Sequence, residues 1–140
     1  MRRCMAVAVG LSLFLASACA GDSAPKDEPA MPTAVTELSV DVQEFHFSPA
    51  LVVVPAGALV NVTVGNKGTI AHEWVIIAPG HEVDDQHRFS ESAVLFEVDD
   101  IDQGTRSMSK FTIAQPGRYQ LICAIEGHLA AGMEATLMVV

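Results

Sequence analysis

The chain has few cysteines and few positive charges, and it lacks the motifs of the common hydrolases. Three cysteines occur in 140 residues. Cys4 lies just before the N-terminal apolar run, Cys19 follows it, and Cys123 is alone in the rest of the chain. Exported proteins use cysteine chiefly in disulfides, so one leftover thiol excludes a disulfide framework within the domain and needs another reason. The plain alternatives are a small buried hydrophobe and an intermolecular disulfide; the third is a metal ligand. Lysine and arginine number 8 against 17 aspartates and glutamates, a formal net charge of −9. That balance argues against nucleic acid as a partner. It serves solubility first and steering toward cationic partners second. There is no Gly-x-Ser-x-Gly, no phosphate loop and no pair of carboxylates with a plausible pocket, so no hydrolytic enzyme is expected. No internal repeat is present.

Long hydrophobic runs are also scarce. The one at the N-terminus, Met5 to Leu15 in "MRRCMAVAVGLSLFLASACAG", follows Arg2 and Arg3 and is too short to span a bilayer. It reads as an export signal. "LASAC" puts small residues before Cys19, as in a bacterial lipoprotein signal, although Ala16 stands where Leu is more usual; ordinary cleavage after Ala18 or Ala20 is the alternative. The expected organisation is a signal over 1–18, a lipid-anchored flexible linker over 19–36 beginning at Cys19, and one domain over 37–140. The linker "DSAPKDEPAMPTAVT" is rich in Pro, Ala and charge and has no apolar period. The expected location is the outer face of the cell membrane, and the expected state a monomer.

From Glu37 onward the pattern is that of short strands. "ELSVDVQEFHFSP" alternates, with Leu38, Val40 and Val42 on one face, then Phe45 and Phe47 on that face after a one-residue bulge. "ALVVVPAG", "ALVNVTVGNKG", "HEWVIIAPG", "SMSKFTI", "RYQLIC" and "MEATLMVV" come next, separated by turn signals. Seven to eight strands with regular turns predict an all-β, Greek-key sandwich of antiparallel strands. Residues 81–104 break the rhythm. They are acidic and weakly patterned, and predict an excursion between two strands with one helical turn near Ser90 to Leu95.

Chemistry concentrates in "CAIEGHLAAGM", which spaces Cys123, His128 and Met133 evenly. Two soft sulfurs and an imidazole suit copper; a thioether is a poor ligand for zinc, calcium or magnesium. A trigonal site of one thiolate and two imidazoles with a weak axial methionine needs a second histidine. His72 is the best candidate. It opens the strand "HEWVII" and shares the core-facing side of the pleat with Trp74 and Ile76. His46 points outward if Phe45 and Phe47 face the core, and His81 and His87 read as solvated residues of the acidic segment.

On "HEWVI" and "GRYQLICAIEGHLAAGM" the chain resembles the cupredoxins, the small blue-copper proteins, over about residues 37–140. The resemblance implies one copper ion held by His72, Cys123, His128 and Met133, with Tyr119 and Gly127 in their usual places. Azurin-like members carry Asn after the first histidine, whose side chain ties the two ligand loops together; Glu73 stands there, and it is expected to support the site without coordinating. In the family the edge of the loop histidine is exposed in an apolar patch where partners dock; Leu129, Ala130 and Ala131 either form such a patch here or only pack the loop. The implied function is single-electron shuttling near the membrane with an unidentified redox partner. The alternative is copper buffering or delivery, with a copper donor or acceptor as partner. A sandwich interaction module with a vestigial site is a third reading.

Overall fold

The computed structural model describes residues 31–140. The expected signal over 1–18 and the anchor Cys19 lie outside the described residues. Among the described residues nine strands form: β1 Glu37–Gln43, β2 His46–Ser48, β3 Leu51–Val54, β4 Val60–Asn66, β5 His72–Ile77, β6 Val94–Ile101, β7 Arg106–Phe111, β8 Gly117–Ile122 and β9 Glu134–Val139. They build a four-stranded sheet, ordered β2-β1-β4-β7, and a five-stranded sheet, ordered β3-β9-β8-β5-β6. The all-β sandwich is as expected, with two differences. There is a strand more than the upper expectation, and two pairings, β1 with β4 and β3 with β9, are parallel.

Period-two patterning explains the core. Leu38, Val40 and Val42 of β1 and Val60, Val62 and Val64 of β4 turn inward, against Trp74, Ile76, Leu121 and Leu137 of the other sheet. From Trp74 to Ile77 β5 is an unbroken apolar run because both its faces are covered there. Trp74 and Ile76 face the inter-sheet core, while Val75 and Ile77 pack with Ile122 under Val83, Ala93 and Leu129.

Two expectations are corrected. The excursion is shorter than 81–104. Val94–Ile101 is an edge strand paired with β5, whose Val98 and Ile101 face the core and whose Glu97, Asp99 and Asp100 face solvent. Its alternation is hidden because the register shifts between His72 and Trp74, which pair with Ile101 and Val98, so that Asp99 and Asp100 both oppose Glu73. What remains of the excursion carries two short 3-10 turns, Gln86–Arg88 and Glu91–Ala93, the second inside the expected helical stretch. Its ends are joined by the Ala78 N–H donating to the Ala93 carbonyl at 2.8 Å. The second correction concerns Phe45. Glu44 and Phe45 are the turn between β1 and β2, not a bulge within one strand, and Phe45 is 36% exposed while Phe47 is buried.

The end of the expected linker is bonded to the domain. The Val35 N–H donates to the Val53 carbonyl at 2.9 Å, and the Thr36 carbonyl accepts from the Asn61 N–H at 2.8 Å.

Candidate metal centre

Alternation along β8 sends Tyr119, Leu121 and then Cys123 into the space between the sheets, and alternation along β5 sends His72 there from the neighbouring strand. The loop from Cys123 to Met133 is folded tightly on itself. The Cys123 N–H donates to the Met133 carbonyl at 3.3 Å, and the Met133 N–H to the His128 carbonyl at 3.0 Å. The His128 N–H donates to the Ile125 carbonyl at 3.1 Å. Gly127 (φ 83°) and Gly132 (φ 95°) sit in the left-handed region these turns require, where a side chain would cost about 1 kcal/mol.

One ligand atom from each of His72, Cys123 and His128 lies within 4.8 Å of the others. The Cys123 Sγ is 3.2 Å from His128 Nδ1, and the two imidazole centroids are 5.1 Å apart with the rings tilted by 56°. No carboxylate, Glu73 included, belongs to this group. His72, Cys123 and Met133 are fully buried and His128 nearly so. Neither ring nitrogen of His72 has a hydrogen-bond partner. A buried polar atom left this way costs about 1–3 kcal/mol, so the site is shaped for a group that takes up the lone pair of one nitrogen and an acceptor for the proton on the other. A thiolate, two imidazoles and a nearby buried thioether fit copper.

Burial sets the protonation states. It lowers both imidazoles below the usual histidine range, and in His72 the neighbouring His128 adds to this, so both rings are neutral and able to ligate at neutral pH. Burial pushes the Cys123 thiol up, opposed by the backbone N–H groups of Glu73 and Ile125. The Glu73 N–H lies 3.3 Å from the sulfur. A cation held here would supply the drive to ionise the thiol. The Glu73 carboxyl itself is raised, by burial first and then by Glu97, Asp100 and Asp99 around it, against the N–H of Ala124.

Three residues at the site were not read from the sequence. Glu44, in the β1–β2 turn, accepts on one carboxylate oxygen from the Thr69 N–H, the Thr69 hydroxyl (3.1 Å) and the Ile70 N–H (3.0 Å). These bonds, the Thr69 N–H foremost, hold its carboxyl down at about 2. The same oxygen stands 3.8 Å from His72 Nε2. Phe45 meets the His128 ring edge-on, with centroids 5.0 Å apart. Asn66, buried, gives its side-chain N–H groups to the carbonyls of Ile70 and Ile101 at 2.7 Å each and accepts from the Gly68 N–H at 2.8 Å, which fixes the turn before His72. The only signals in the sequence were a carboxylate breaking an apolar alternation and an Asn-Lys-Gly turn. Leu129 also departs from expectation: it packs under the excursion with Val83 and Ala93, leaving Ala130, Ala131 and Phe45 as the exposed apolar groups near His128.

A family model described as "Cupredoxin-like domain" matches residues 5–139. Sulfocyanin from Sulfolobus acidocaldarius is 28% identical over 121 residues, covering 76% of this chain and 61% of that protein, so the chain spans about three-fifths of this relative's length. Among solved structures, dithionite-reduced auracyanin from Roseiflexus castenholzii superposes with a TM-score of 0.66 at 20% identity, covering 77% of this chain and 99% of its own. Auracyanin A from Chloroflexus aurantiacus, a blue copper protein, gives 0.60 at 19%, with 74% and 99% covered. Those two likenesses speak for the fold, and the family match, which takes in both sheets and the His72, Cys123 and His128 cluster between them, shows that the chain belongs to the cupredoxin-like domain family.

Proposed function

We propose that the domain is a mononuclear type 1 copper protein that carries single electrons and is not an enzyme. His72, Cys123 and His128 would hold the ion, with Met133 as a further, weaker donor. The observation that carries this reading is the buried convergence of one thiol and two neutral imidazoles, with both His72 nitrogens unpartnered. Bound copper supplies a one-electron couple. The chain supplies the rest: ligands fixed on β5 and on the tightly bonded 123–133 loop, a Glu73 N–H aimed at the sulfur, and a core that excludes water. Ligands held by a rigid sandwich move little when the charge at the site changes, which favours rapid transfer. The edge of His128, beside Phe45, Ala130 and Ala131, is where a redox partner would approach. The N-terminal signal pattern supports an exported domain tethered through a lipidated Cys19.

Protein loaded with Cu(II) should show an intense visible thiolate-to-copper band and a reversible voltammetric couple, and Cys123→Ser should lose the band. A colourless wild type, or a C123S variant that keeps the band, refutes the ligand assignment. A coloured wild type that releases copper on reduction would make the protein a copper store. Mass spectrometry of the mature N-terminus decides the anchor: an unmodified terminus at Cys19 or Gly21 excludes it.

A further inference from the structure

A metal-bound imidazole has one nitrogen left over. When one nitrogen ligates, the other carries the ring proton and needs an acceptor, and the group that takes it fixes the ring's tautomer and tilt. For His128 the nitrogen facing the sulfur is Nδ1. For His72, the group nearest Nε2 is the Glu44 carboxylate at 3.8 Å. That separation is too long for a direct hydrogen bond. A shift of about 1 Å or a bridging water closes it.

The carboxylate is built into its place. Its Oε1 receives the three bonds from Thr69 and Ile70. The turn that donates them is itself fastened by Asn66 to Gly68, Ile70 and Ile101. Gly68 completes the cradle, because a Cβ there would lie 2.6 Å from the Glu44 oxygen. The neighbouring residue reaches the other ligand, Phe45 lying edge-on to His128. One turn of the four-stranded sheet therefore touches both imidazoles, which are presented by the five-stranded sheet and its loop.

We infer that Glu44 is a positioning residue for the metal site: its anchored carboxylate takes the Nε2–H of His72 and thereby presents Nδ1 to the metal. The inference rests on the copper reading proposed above. Glu44 does not ligate. It holds the ring, and its negative charge favours the more positive state of the centre.

Three variants test this in the full-length protein. Glu44→Ala removes both the acceptor and the charge. Glu44→Gln keeps an acceptor oxygen without the charge. Gly68→Ala leaves Glu44 in the chain but displaces its carboxylate. The readouts are loss of copper to a chelator, the Cu(II) hyperfine pattern, the reduction potential and, by nitrogen NMR of the Cu(I) form, which His72 nitrogen bears the proton. Glu44→Ala and Gly68→Ala should both lose copper about tenfold faster than wild type, with an altered hyperfine pattern. Glu44→Gln should keep its copper and raise the potential by about 59 mV, the equivalent of a tenfold change in relative affinity for the two oxidation states. The wild type should show the proton on Nε2.

A wild type without the thiolate-to-copper band refutes the copper reading itself. A coloured wild type with the proton on Nδ1 overturns only the inference. So does a coloured set of variants with unchanged potential, hyperfine pattern and copper loss, because Glu44 would then merely cap the 68–70 turn. Should Glu44→Ala fail to fold, Glu44→Gln and Gly68→Ala decide by the same readouts.

Discussion

Gln120 is the point at which the excursion between β5 and β6 can be detached without touching a proposed ligand. Its side-chain amide reads the backbone of Val83 as a strand would, accepting from the Val83 N–H at 2.7 Å and donating to the Val83 carbonyl at 2.8 Å. A third contact, to Glu134 at 3.1 Å, is exposed and contributes little. Gln120→Ala removes both Val83 bonds and leaves two backbone groups without partners beside a buried side chain. At about 1 kcal/mol for each bond, the loss is about 2 kcal/mol. For a domain of this size that lowers Tm by about 8 °C. The effect should be local as well as global, because Val83 covers Val75, Ile77 and Ile122. The Val83 amide should exchange far faster in the variant, whereas amides of β4 should change only with global stability. Colour should survive, since His72, Cys123 and His128 are placed by β5 and the 123–133 loop. Differential scanning calorimetry and hydrogen exchange measure the two effects. A Tm within about 2 °C of wild type, with unchanged Val83 protection, would show that the paired bonds do not hold the excursion down.

Met133→Leu should keep the visible band and a reversible couple while raising the reduction potential, because a lost donor disfavours the higher charge state; loss of the band would make Met133 essential to the site, not tuning. Glu73→Asn should retain copper and colour, since the Glu73 N–H and not its side chain meets the sulfur; copper loss in that variant would mean that the carboxylate coordinates. Cys123 of the metal-free protein, buried and with its thiol pushed up, should stay protonated at neutral pH. Peptide mapping should therefore find it alkylated slowly until denaturant is added, and equal rates in folded and unfolded protein would contradict the burial.

What could be read from the sequence was local. Val60, Val62 and Val64 alternate cleanly, so β4 is visible in isolation, and the even spacing of Cys123, His128 and Met133 marks a single loop. His72 was selected by the pleat it shares with Trp74 and Ile76, and the structure does bring it to Cys123 and His128. Edge strand β6 was missed because two aspartates oppose one glutamate at its register shift, which breaks the period while the pairing with β5 continues. Phe45 was misplaced because a two-residue turn and a one-residue bulge leave similar spacings behind. Glu44 was invisible for a different reason. Its partners are Thr69, Ile70 and His72, which the fold brings to it from the β4–β5 turn and from the other sheet, and no periodicity encodes that meeting.

The position of β9 has a kinetic consequence. It lies inside the five-stranded sheet, antiparallel to β8 on one side and parallel to β3 on the other, with Leu51 opposite Thr136. Among the described residues β3 pairs with no other strand of its sheet, so that ladder waits for residues 134–139. Such distant pairing is slow to form and exposes apolar strand surface meanwhile. The Cys123–Met133 loop is closed by the same β8–β9 docking. The pocket also takes His72 from β5, so copper that arrives before β5 has docked on β8 meets the loop's thiol and imidazole without the third converging side chain.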